Sequence, residues 1–219
     1  HYMLTSECLD IICITETWLK PCTPDSVIIA NNLFTIFRND RLDSLGGGVC
    51  IIINNANVKA VRVDIAAKFK DIEIICIVIG RRAQIQLMLL FSAQSTLLIV
   101  CLMSVCDVDS SIVVVGDFNF PLIDWSNLQF IVDNDHCSAL FSAFAKQFCL
   151  NQLVTDYTRI QASGKNSILD LVLCNDPFII SEVNVSVSFR SSSVNFNLDC
   201  PSQSVDLPAH ESRNFNDAD

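Results

Sequence analysis

Short, nearly unbroken apolar runs, rich in β-branched residues and each closing near a carboxylate, constrain this chain more than any other feature. Leu9-Asp10-Ile11-Ile12-Cys13-Ile14-Thr15 stops at Glu16. Ile112 to Val115 runs into Gly116-Asp117-Phe118-Asn119, and Ile168 to Leu173 carries Asp170 in its middle. Val49 to Ile53, after the Gly46-Gly47-Gly48 turn, and Ile72 to Ile79 are equally apolar. Runs this long and this apolar read as strands covered on both faces, since a half-exposed strand alternates. Val58 to Ile65 and Val183 to Leu198 do alternate, and the first of these is placed to form a hairpin with Ile72 to Ile79.

Two segments break the strand pattern. Cys137 to Phe148 sets Leu140, Phe141, Phe144 and Phe148 at helical spacing. Ala83 to Cys106 contains no charged residue and is long enough to span a bilayer, but Gln84, Gln86, Ser92, Gln94, Ser95 and Thr96 favour a buried amphipathic helix. Strands outnumbering helices in this order predict layered α/β structure with mixed or antiparallel sheets.

The chain has 219 residues, enough for one sizeable core, and 51% of them are hydrophobic against 17% charged. It reads as one domain over residues 1–199, followed by a polar, proline-interrupted tail over 200–219 that is expected to be disordered. Its eleven cysteines form no CxxC pair, which points to reduced, buried thiols inside a cell rather than to a disulfide scaffold. The formal charge of -10 implies weak affinity for a polyanion such as DNA, because nonspecific grip comes from Lys and Arg neutralising phosphates.

An ionised carboxylate inside or at the end of an apolar strand is expensive unless it is paired or bound to metal. Glu16, Asp117 and Asp170 all sit so, with Asn119 beside one of them. Oxygen donors with little histidine suit a hard cation, Mg²⁺ or alternatively Mn²⁺, and no spacing resembles a zinc site. His136, between Asp133 and Asp135 and the carboxylate-free start of a helical pattern, reads as a solvated surface residue.

Five stretches then occur in a telling order: Asp10 to Leu19; Arg38-Asn39-Asp40-Arg41 with the triple glycine and Val49; Val113 to Asn119 with Pro121, Ile123, Asp124 and Trp125; Gln152 to Thr155 with Thr158-Arg159; and Leu169 to Leu173. Together they resemble the retrotransposon branch of the endonuclease/exonuclease/phosphatase family. The resemblance implies a DNase I-like two-layer β-sandwich flanked by helices, which nicks target DNA to prime reverse transcription. It implies Glu16 as ligand of Mg²⁺ and Asp117 as the group that orients or deprotonates the attacking water. Asn119 is then the phosphate-positioning residue, and Asp170 the support of a catalytic histidine. A working protein of this kind acts in the nucleus.

The chain departs from that pattern in three places. The family's first strand, with a metal-site asparagine, belongs ahead of residue 8, where the sequence from His1 leaves no room for it. Ile79-Gly80-Arg81-Arg82 stands where the family has Tyr-Arg-Pro-Pro, and Phe189-Arg190-Ser191-Ser192-Ser193 where it has Ser-Asp-His. Nucleotide strings encoding both stretches exist that read as the family motifs in a shifted frame. A segment from about 78 to 107 translated out of frame is therefore expected, in a copy whose activity is impaired or lost. Three functions stay open: a metal-dependent DNA endonuclease, a non-catalytic remnant, and a membrane-associated protein using Ala83 to Cys106.

Overall fold

The computed structural model describes residues 9–29, 32–42, 46–69, 72–80, 84–90, 96–106, 109–120, 123–125, 129–130, 136–160, 166–187 and 192–198. The expected tail over 200–219 lies outside them, as do Arg81, Arg82 and residues 188–191.

One sheet contains β1 (Ile11–Thr15), β2 (Phe34–Asn39), β3 (Val49–Asn54), β12 (Ile180–Val187) and β13 (Ser192–Leu198), in the spatial order β12-β13-β1-β3-β2. All its pairings are antiparallel. The other contains β4 (Ala60–Val63), β5 (Ile74–Gly80), β6 (Gln84–Leu90), β7 (Ser111–Asp117), β10 (Asn151–Gln152) and β11 (Asp170–Cys174), ordered β10-β11-β7-β6-β5-β4. Here β6 and β7 run parallel and the rest antiparallel, so the sheet is mixed. A two-stranded ribbon, β8 (Ile123–Asp124) with β9 (Gln129–Phe130), stands apart.

Strand periodicity divides the apolar runs into three cores. Ile11, Cys13, Val49, Ile51 and Ile53 of the first sheet face Ile75, Ile77, Ile79, Val113, Val115 and Val172 of the second. The alternate residues of the second sheet, Ile74, Cys76, Ile112, Val114, Leu171 and Leu173, turn outward against α1 (Thr96–Val105) and α2 (His136–Gln147). Ile12, Cys50 and Ile52 form the outer face of the first sheet, beneath Ile28, Ile29 and Phe34. Both faces of the central strands are covered, which is why their sequences do not alternate. The α/β sandwich with flanking helices is the architecture the sequence implied.

Three expectations need correction. Ala83 to Cys106 is not one helix: Gln84–Leu90 is a strand, and only Thr96–Val105 is helical. The strand fills the slot between β5 and β7, pairing with both, and satisfying two exposed strand edges outweighs the helix propensity of Leu, Met and Gln. Asp170 opens β11 rather than lying mid-strand, because the Leu169 and Asp170 N–H groups donate to the Thr158 hydroxyl (2.8 and 3.0 Å). His136 is exposed as expected, yet it is the first residue of α2 rather than part of a loop. Among the described residues, no helix is long and apolar enough to cross a membrane.

Candidate active site

Glu16 follows directly on β1, with φ at 52°, a left-handed backbone that turns the chain out of the sheet. Its Oε2 accepts the Gly47 N–H and the Trp18 indole N–H, both at 2.7 Å. The backbone reinforces this: Thr17 N–H donates to the Gly48 carbonyl (3.0 Å) and Trp18 N–H to that of Gly47 (2.9 Å). The triple glycine is thereby explained. Gly47 and Gly48 have φ of +74° and +81°, and a Cβ on Gly48 would meet the Thr17 hydroxyl at 2.6 Å, while one on Gly47 would strike the Arg41 guanidinium.

β7 delivers Asp117 at its carboxyl end, where sites are commonly built. Phe118 and Phe120 anchor the following loop, packing on Phe141 of α2 with ring centroids 4.8 and 4.9 Å away. Asn119, also left-handed at φ 49°, donates its backbone N–H to Asp117 Oδ1 (3.1 Å). β11 starts at Asp170, which stands opposite Asp117 in the antiparallel register. Asp170 is buried, and so is the Thr158 side chain that holds its N–H.

The electrostatics join these pieces. Burial above all, then the negative charges of Asp170 and Glu16, raise the Asp117 carboxyl to about 6 against the opposing pull of the Asn119 N–H and the Arg159 guanidinium. Glu16 follows β1 of one sheet while Asp117 and Asp170 lie on adjacent strands of the other, and the charge of Glu16 reaches Asp117. The buried thiols take no part in comparable chemistry. Burial pushes Cys50 and Cys76 to about 12 and Cys13 higher still, so they remain protonated and are poor nucleophiles.

Among the described residues, no three His, Cys, Asp or Glu side chains converge closely enough to cage a metal ion. The donor set nevertheless fits Mg²⁺, which is ordinarily held by one or two carboxylates, with water and phosphate oxygens filling the remaining positions. Glu16 is the residue that would hold it, beside the acidic surroundings that raise Asp117.

Comparison with known proteins bears on the fold. Residues 86–193 match the family described as endonuclease-reverse transcriptase. Over that stretch the chain resembles the endonuclease/exonuclease/phosphatase family. Its fold is similar to the endonuclease domain of TRAS1, a telomere-specific non-LTR retrotransposon (TM-score 0.60, 13% identity, 86% of this chain and 85% of that one). It is similar also to an AP endonuclease from Archaeoglobus fulgidus (0.56, 14%, 87% and 89%) and to the AP endonuclease LMAP from Leishmania major (0.64, 9%, 91% and 81%). None of the curated protein sequences compared matches it.

Two features beside these residues escaped the sequence reading. Glu73, just ahead of β5, accepts the Gly48 N–H at 2.8 Å and pairs with the Arg41 guanidinium. Its signal in the sequence was a single carboxylate between Ile72 and Ile74 in a buried run, the same signature that singled out Asp170. Trp18 is 66% exposed although its indole N–H is tied to Glu16, and only its place in a motif marked it. The stretch where the family carries its last histidine falls partly on residues 188–191, outside the described residues. Ser192 and Ser193 open β13, whose Val194 pairs with Cys13 of β1, at the end of the sheet that leads to Glu16.

Proposed function

We propose that this chain is the Mg²⁺-dependent DNA-nicking domain of a retroelement, impaired in this copy. The observation that carries the reading is Asp117, placed opposite Asp170 in the β7–β11 ladder and raised by burial and by the charges of Asp170 and Glu16. A buried carboxylate surrounded by other carboxylates is a group tuned for proton transfer more often than for stability.

Glu16 holds the cation, Mg²⁺ or in its stead Mn²⁺, through the carboxylate that Gly47 and Trp18 orient. The cation, when bound, neutralises charge developing on the scissile phosphate. Asp117, ionised in its larger part at neutral pH, accepts a proton from the attacking water and aims its lone pair. Asn119 lies two residues on, its backbone fixed by Asp117, and positions the phosphate. Asp170 serves a histidine in the family; here it raises the basicity of Asp117. Arg159, whose charge acts on Asp117, is the candidate to meet phosphate, although the net charge of -10 keeps overall DNA affinity low. Such a domain works on nuclear DNA.

The alternative, a non-catalytic remnant, is favoured by the serines that stand where the family's histidine belongs, since catalytic units fail non-additively when one member is lost. Nicking of supercoiled plasmid with Mg²⁺ decides between them. Slow nicking that EDTA abolishes and Asp117→Ala eliminates supports the endonuclease; nicking equal in both proteins, or absent from both, leaves the remnant.

A further inference from the structure

Glu73 is tied to the same glycine loop as Glu16. One oxygen of its carboxylate accepts the Gly48 N–H at 2.8 Å, and the other takes the Arg41 guanidinium, from the opposite end of the turn that carries the triple glycine. Gly47, one residue before, donates to Glu16. Asn39 ties β2 to the same region by donating its side-chain amide to the carbonyls of Ile72 and Ile74, on either side of Glu73. Glu73 lies just ahead of β5 of the second sheet and Glu16 just after β1 of the first, so the clamp links the two sheets.

From this arrangement we infer that Glu73 is a positioning residue for the metal-binding carboxylate, acting through Gly48 and Arg41 to hold the Gly47 N–H against Glu16. Two neighbouring glycines with φ of +74° and +81° have many other conformations open to them, and a residue that fixes both ends of the turn removes that freedom. Groups one shell out from a metal commonly alter its affinity by roughly tenfold or more, because they decide how the ligand oxygen is presented. The role assigned to Glu73 rests on the metal reading of Glu16, while the clamp itself does not.

Amide hydrogen exchange at Gly47 and Gly48 in the full chain, without metal, tests the clamp. In Glu73→Ala both amides should exchange about tenfold faster or more, while amides in the middle of β3 keep their protection, as a local opening requires. Gly47 retaining its protection while Gly48 loses it would overturn the inference. Should Glu73→Ala fail to fold, Glu73→Gln, which keeps one acceptor oxygen and loses the charge on Arg41, should show the same pattern more weakly; unchanged exchange at Gly47 there overturns it too. A Mg²⁺ titration followed by Trp18 fluorescence adds the second arm. The midpoint should rise about tenfold in Glu73→Ala with the final amplitude kept, and an unmoved midpoint counts against Glu73. A parent protein with no Mg²⁺ response, but with exchange at Gly47 that depends on Glu73, would sink the metal reading and leave the clamp standing.

Discussion

Asp117 and Asp170 face each other across the β7–β11 ladder as a directly opposed pair. Like charges so placed are destabilising, and burial makes the pair worse. The fold nevertheless keeps it, and adds the field of Glu16 from the other sheet. Such an arrangement costs stability unless something cationic or some proton-transfer chemistry makes use of it.

The cost is measurable. A folded-state value near 6 against 3.8 means the folded protein binds a proton more tightly than the unfolded chain, so stability falls as pH rises from about 4 to about 6 and stays low above it. Asp117→Asn should therefore be more stable than the parent by up to about 3 kcal/mol at pH 7.5, with the gap closing toward pH 4. Urea unfolding of both proteins across that range checks it, and any nicking activity should disappear in the variant.

Gly47→Ala should act in the opposite direction. The residue is buried at φ +74°, and a methyl group there collides with Arg41. The change should cost about 2 kcal/mol or more in thermal or urea unfolding, and should weaken Mg²⁺ binding as Glu16 loses its place.

Much of this was legible in the sequence because burial on both faces writes itself as continuous apolar runs. β1, β3, β5, β7 and β11 stand near where those runs lie, and of the interrupting carboxylates Asp170 and Glu16 both act on the charge of Asp117. What failed was length and context. Gln84 to Leu90 has the composition of a helix, and only the gap between β5 and β7 makes it a strand. Asp170 looked mid-strand because nothing in the sequence announced that the Thr158 hydroxyl would take the N–H groups of Leu169 and Asp170. Glu73 carried the right signal but had no motif to draw notice to it.

The helix α1 bears on the proposed frameshift. It has no charged residue, and Leu97, Val100 and Met103 on it are exposed and apolar. The family match begins at residue 86, inside the segment in question, so the shift is best tested at the gene. Sequencing should reveal an alternative frame encoding Tyr-Arg-Pro-Pro beside Gly80; its absence refutes the idea. At the protein level, replacing Leu97, Val100 and Met103 with Lys or Glu should raise solubility while changing stability by less than about 0.5 kcal/mol per site.

The claim that carboxylates from both sheets share one site is tested most directly by the pKa of Asp117, followed by carboxyl ¹³C NMR in the parent and in Glu16→Gln. Titration near 6 in the parent, moving downward once the Glu16 charge is removed and downward again when Mg²⁺ is added to the parent, is the predicted result. An Asp117 that titrates in the ordinary carboxylate range and ignores both Glu16 and Mg²⁺ would contradict it.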